Sequence, residues 1–255
     1  MCLIALALDA HPRYRLVLAA NRDEFHERPS APASWWDDAP RVFGGRDLRQ
    51  HGSWLALSRS GRWAAVTNVR RMVPPDPAAP SRGGLVRAFV DGAVPANRFA
   101  ADLGTTAARY AGFNLLVGDG AHTVYLSNHP RFAAQTLTPG VHAVSNASLD
   151  TPWPKLLRLR GVLHDWCSGG RDGFEPLFAA LADDRAAADG ELPDTGVGLE
   201  MERFLSPPFI RGPQYGTRSS TLLTLTTDGI ARFHERRFAA NGLPVGEKVE
   251  TFALE

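Results

Sequence analysis

Short apolar runs that come in pairs, each pair joined by a turn, limit this chain to a small set of folds. Residues 3–8 and 15–20 flank Asp9-Ala10-His11-Pro12-Arg13, and residues 54–57 and 62–68 flank Ser58-Arg59-Ser60-Gly61. Residues 113–117 and 123–127 surround Gly118-Asp119-Gly120, and residues 221–227 meet 230–238 through Asp228-Gly229. Runs of this length bounded by Gly, Pro and Asp predict antiparallel hairpins. Residues 141–145 predict one further strand.

Between the hairpins, apolar residues recur at three- and four-residue spacing in 84–91, 96–110, 153–166 and 174–182, which predicts helices. Gly169-Gly170 should stop the third. Residues 21–33, 69–81 (with Pro74, Pro75, Pro77 and Pro80) and 183–199 read as loops. Hairpins with helices grouped in blocks indicate an α+β layered domain, whereas a doubly wound parallel sheet needs strict strand–helix alternation. Nothing resembling a linker interrupts the 255 residues, so a single domain over 1–255 is expected.

Composition narrows the function. With 44% hydrophobic and 22% charged residues the chain can bury a sizeable core, so disorder is excluded as the main state. A net charge of +1 argues against nucleic acid as a partner, because phosphate binding needs a concentrated basic face. The two cysteines, Cys2 and Cys167, are too few for a disulfide scaffold or a cysteine zinc site, and the eight histidines form no i, i+4 pair, so no metal and no cofactor are expected. The apolar stretch at residues 1–8 lacks a basic flank and ends at Asp9, so it reads as a buried strand and not as an export signal or membrane span. The expectation is a cytoplasmic protein without an integral membrane segment.

Cys2 carries the sharpest chemistry. Removal of Met1, favoured by a small second residue, would place a thiol nucleophile and a free α-amine on one residue. That amine titrates at about 7.7–8.0, close enough to neutrality to act as its own general base. A small apolar residue opening a strand is the alternative. The hairpin then brings Asn21-Arg22-Asp23-Glu24 back beside Cys2, where a carboxylate can hold the α-ammonium and a guanidinium can lower the thiol pKa. Asn68 and Asn146 each end an apolar strand, where a side-chain amide can serve an oxyanion site or merely a turn. Arg218, ahead of Ser219-Ser220-Thr221, suits a carboxylate or phosphate, or a structural ion pair.

Met1-Cys2 followed by Asn21-Arg22-Asp23-Glu24 resembles the NRDE family, also called the transport and Golgi organization protein 2 family. Gly44-Gly45-Arg46-Asp47, Gly52-Ser53-Trp54-Leu55-Ala56, Ala65-Val66-Thr67-Asn68-Val69-Arg70, Ser81-Arg82-Gly83, Phe113-Asn114-Leu115-Leu116, Ser145-Asn146 before Trp153-Pro154-Lys155, and Thr217-Arg218-Ser219-Ser220-Thr221 extend the resemblance over essentially the whole chain. The resemblance implies a four-layer αββα sandwich of two antiparallel sheets, as in N-terminal nucleophile hydrolases. It also implies a site in which Cys2, Arg22, Asp23, Asn68, Asn146 and Arg218 are catalytic. The branch that cleaves bile-salt amides and penicillin V spaces its Arg and Asp three apart, whereas Arg22 and Asp23 are adjacent. Either Asp23 or Glu24 can therefore be the site carboxylate, and Asn21 can stand at the Arg position. Asn21 and Glu24 are assigned to substrate binding. The implied activity is hydrolysis of a linear C–N amide bond in a small molecule through an acyl-enzyme. The alternative is a non-catalytic carrier or trafficking factor for a hydrophobic ligand, haem or an acyl lipid, although no Cys-Pro dipeptide or paired histidine offers a haem ligand.

Overall fold

The computed structural model describes residues 2–71 and 76–255. Met1, with its expected removal, and part of the 69–81 loop lie outside them. By internal packing the chain forms two units, one of Met1–Glu27, Arg70–Val73 and Pro139–Thr251, the other of Arg28–Val69, Pro74–Thr138 and Phe252–Glu255.

In the first unit, residues 3–8 are continuously apolar because β1 (Cys2–His11) is buried on both faces. It forms the expected hairpin with β2 (Tyr14–Phe25). The other strands of this antiparallel sheet are β10 (Gly140–Val144), β11 (Tyr215–Thr226), β12 (Ile230–Phe238) and β13 (Pro244–Ala253), in the order β10-β1-β2-β11-β12-β13. The β11–β12 hairpin turns at Gly229, whose φ of 84° suits a residue without a Cβ. Helices α3 (Pro154–Ser168) and α4 (Glu175–Leu181) cover one face. There Leu156, Leu159, Leu163, Trp166, Leu177 and Phe178 pack on Leu3, Ala5, Val17, Ala19 and Leu222. Helix α5 (Leu199–Leu205) completes the unit.

The second unit is a seven-stranded antiparallel sheet in sequential order. Its strands are β3 (Ser30–Trp36), β4 (Ala39–Asp47), β5 (Leu55–Ser58), β6 (Trp63–Asn68), β7 (Phe113–Gly118), β8 (Thr123–Ser127) and β9 (Ala133–Thr136). Helices α1 (Gly83–Val90) and α2 (Ala96–Gly104) place Leu85, Val86, Phe89, Ala100 and Leu103 in one core with Val42, Ala64, Val66, Leu115 and Val117. Two antiparallel sheets with helices on their faces give the α+β class expected from the hairpin order.

Three expectations are corrected. Residues 21–33 are not a loop: β2 runs on to Phe25 and β3 begins at Ser30. The polar residues there remain in the sheet because neighbouring strands and side chains answer their hydrogen bonds. The 96–110 helix stops at Gly104, and only a single 3-10 turn at Ala107–Arg109 follows. The 183–199 segment contains a 3-10 turn at Asp189–Glu191 and leads straight into α5, which the sequence reading did not anticipate.

Candidate active site

Cys2 opens an interior strand, with β10 on one side and β2 on the other. In register it lies opposite Arg22, and Leu3 lies opposite Asn21. Residues directly opposite in an antiparallel pair share a face, so Cys2 and Arg22 point one way and Asn21 the other. The Ser145 hydroxyl donates to the Cys2 carbonyl at 3.0 Å, joining the start of β1 to the end of β10. The thiol pKa is raised, chiefly by burial and secondarily by the Asp23 charge; Arg22 and the Asp23 backbone N–H push it down without prevailing. The expected lowering by the guanidinium is thus present but outweighed.

Asp23 is buried, and its Oδ1 accepts from the Thr217 hydroxyl at 2.7 Å. Thr217 Oγ1 in turn accepts from the Ile210 N–H at 2.9 Å. Burial raises the Asp23 pKa, and Lys155, Thr217 and Arg22 oppose it. The β2–β11 register slips between Thr217 and Ser219, which face Asp23 and Arg22, so Arg218 is the extra residue of a bulge. Its guanidinium donates to the Phe25 carbonyl at 2.9 Å and to that of His26 at 3.2 Å. Burial lowers the Arg218 pKa, Arg22 lowers it further and Glu24 opposes. Arg22, only 6% exposed, comes within 3.9 Å of Glu24. Arg22, Glu24 and Arg218 thus form one charged group at the end of β2.

Asn21 is held differently. Its amide donates to the carbonyls of Leu181 at 2.7 Å and Pro208 at 2.8 Å, and its Oδ1 accepts from the Ser220 hydroxyl at 2.6 Å. Those bonds tie β2 to the end of α4, to the segment after α5 and to β11, on the face away from Cys2. Asn146 is buried next to Ser145, whose hydroxyl lies 3.2 Å from the Asn146 Oδ1. The Asn146 carbonyl accepts from the Arg70 N–H at 2.8 Å. Asn68 ends β6 in the second unit, in register with Phe113. The structure therefore brings Cys2, Arg22, Asp23, Glu24, Asn146 and Arg218 to one end of the first unit's sheet, with the side chains of Asn21 and Asp23 on the face opposite that of Cys2 and Arg22.

The sequence reading did not single out the residues supporting this end. Lys155, in the first turn of α3, is only 2% exposed, and its Nζ donates to the Leu205 carbonyl at 3.0 Å. Arg70 and Glu202 form an ion pair with both side chains 4% exposed, and the Arg70 guanidinium stacks 4.7 Å over Trp153. The Thr195 N–H also donates to Glu202 at 2.9 Å. Tyr215 is raised well above the usual phenol range by burial and the nearby Asp23 charge. One signal was legible: Lys155 precedes Leu159 and Leu163 at four-residue spacing, which puts it on the apolar stripe of its helix. Among the described residues no group of His, Cys, Asp or Glu is arranged to hold a metal, and no helix is long and apolar enough to cross a membrane.

A profile of the family described as Transport and Golgi organisation 2 matches residues 1–240. The Transport and Golgi organization protein 2 homolog of Bos taurus is 32% identical over 260 residues, covering 92% of each chain. That of Homo sapiens is 32% identical over 256 residues, again 92% of each. Among solved structures, a mutant conjugated bile acid hydrolase from Clostridium perfringens matches with a TM-score of 0.55 over 99% of this chain and 92% of that one, at 8% identity. At that identity the likeness is one of fold, the α+β fold of N-terminal nucleophile hydrolases.

Proposed function

This chain belongs to the Transport and Golgi organisation 2 family, and from that premise we propose that it is an amidohydrolase-like protein with Cys2 as its N-terminal nucleophile. The observation that carries the reading is the start of β1: Cys2 faces Arg22 in register, with the Asp23 N–H at its sulfur. After loss of Met1 the Cys2 amine takes the thiol proton as sulfur bonds to the carbonyl carbon of a linear amide. The C–N bond then breaks, the leaving amine receives that proton, and an acyl thioester remains for water to hydrolyse. A thiol kept neutral by burial suits this order, because the proton moves only when the carbonyl is in place. Arg22 and Asp23 fix the charge around the sulfur, Asn146 serves the oxyanion, and Glu24 and Arg218 meet the substrate's polar end. Asn21 assists by anchoring β2.

A second reading has its own support. The raised thiol pKa disfavours the thiolate, and the curated relatives carry a transport name. In that reading the same site carries a hydrophobic ligand, haem or an acyl lipid, without turnover.

Intact-mass analysis with iodoacetamide labelling and amide hydrolysis assays separates the two. The hydrolase reading expects a chain lacking Met1 and turnover that disappears in Cys2→Ala. It also expects alkylation of Cys2 faster than that of a peptide cysteine, because the α-amine exposed on Cys2 itself takes the thiol proton despite burial, and slowed by Arg22→Ala. Retained Met1, with alkylation at the peptide rate and indifferent to Arg22→Ala, defeats it. The carrier reading expects ligand affinity to survive Cys2→Ala.

A further inference from the structure

We propose that Lys155 is a positioning residue of the Cys2 site: its buried ammonium holds Asp23 as a carboxylate and so sets the charge state in which Cys2 reacts. The inference rests on the reading of Cys2 as nucleophile, but its core, the coupling of Lys155 to Asp23, can be measured without turnover.

Lys155 is almost wholly buried, and the Leu205 carbonyl that accepts its hydrogen bond carries no charge. A carbonyl answers the donor but does not neutralise a buried cation, which needs an anion nearby. β2 supplies one. Asp23 has the strand parity of Val17 and Ala19, which pack in one core with Leu156 and Leu159 of α3. Its carboxylate is therefore on the α3 side of the sheet, the side from which Lys155 enters. The Asp23 backbone meanwhile reaches the Cys2 sulfur through its N–H. Asp23 thus has one end toward the thiol and the other toward the amine.

The electrostatics agree with that placement. Burial lowers the Lys155 pKa to about 8, and Arg70 lowers it further, while Asp23, Cys2 and Glu202 all favour the cation. Lys155 is also the strongest side-chain influence opposing the burial-driven rise of Asp23. The charges that act on Lys155 are those of Cys2 of β1, Asp23 of β2, Arg70 after β6 and Glu202 of α5, and those of Asp23 and Cys2 act in turn on Tyr215 of β11. Below pH 8 the ammonium is present, and its charge favours the ionised form of Asp23 against burial. Without that cation burial acts on Asp23 with less opposition, which favours its neutral form and weakens the anion at this end of the sheet as an anchor for the α-ammonium.

The test is the pH dependence of iodoacetamide labelling at Cys2 in the full chain. Comparing wild type with Lys155→Met, Asp23→Asn and the double variant, we expect Lys155→Met to move the labelling midpoint by about one pH unit, a tenfold change in rate on the steep limb. The shift should vanish in the Asp23→Asn background. An unmoved midpoint in folded Lys155→Met, or an equal shift in both backgrounds, overturns the inference. If Lys155→Met does not fold, the Lys155 side-chain methylene can be titrated by NMR in wild type and Asp23→Asn. A midpoint near 8 that falls further in Asp23→Asn supports the coupling. An ordinary lysine midpoint, or one indifferent to Asp23→Asn, overturns it. Wild-type Cys2 labelling at the peptide rate, with the NMR coupling intact, would remove the hydrolase reading and leave the Lys155–Asp23 pair standing.

Discussion

Asn21 and Arg22 are neighbours in sequence, yet the pleat sends them to opposite sides of β2, and their expected mutational signatures differ accordingly. Asn21→Ala would strand the Leu181 and Pro208 carbonyls and the Ser220 hydroxyl in the interior. A loss of about 1–3 kcal/mol is expected in urea denaturation, with the pH profile of Cys2 labelling in the folded fraction unchanged. Thr217→Val keeps the shape but removes both the donor to Asp23 and the acceptor for the Ile210 N–H. A similar loss of about 1–3 kcal/mol should appear, this time accompanied by a change in the labelling profile, because Asp23 is touched. Lys155 gives the signed pH prediction. Its folded pKa of about 8 lies below the ordinary 10.5, so between those values the unfolded chain binds more protons on this residue. Its contribution therefore makes stability rise with pH across that window. The stability deficit of wild type relative to Lys155→Met, measured by urea denaturation, should narrow from pH 7.5 to 9.5.

Elements explain which parts of the fold were legible. The first hairpin, the β5–β6 and β7–β8 pairs and the β11–β12 hairpin could be read because their strands are buried and their turns carry Gly, Pro or Asp. β3 and β4 escaped notice because Pro32 and Pro40 break their pattern and both faces mix polar with apolar residues. β13, PVGEKVETFA, is a largely exposed edge strand without an apolar face to betray it. α5 is short and follows an acidic Gly-containing stretch, so nothing local announced that its Glu202 would pair with Arg70, 132 positions earlier. That pairing makes a two-turn helix part of the site's support. Glu202→Gln leaves Arg70 buried without its anion and should cost about 3–5 kcal/mol in chemical denaturation. The tetrapeptide near the end of β2 marked the site from sequence alone; Lys155 left only its place on the apolar stripe of α3 as a trace, and the parts of Thr217 and Tyr215 emerge from the pairing of β11 with β2.

At the scale of the molecule, the two cysteines report on different things. Cys167 lies at the end of α3, 3% exposed, with burial raising its thiol pKa to about 11. At pH 8 it should resist iodoacetamide in the native protein and react only when α3 leaves the sheet, so peptide mapping should find native label at Cys2 alone. Such selectivity would make Cys2 chemistry readable without mutating the other thiol. The central position of β2 has a further consequence. Asn21 and Arg22 are flanked by β1 on one edge and β11 on the other, so the most polar stretch of the strand is also among the least able to breathe. Amide protons there should exchange with deuterium on the timescale of global opening and not of loop fluctuation. Any ligand that reaches this end of the sheet meets groups already set in place, and very little ordering of the backbone is left for binding to supply.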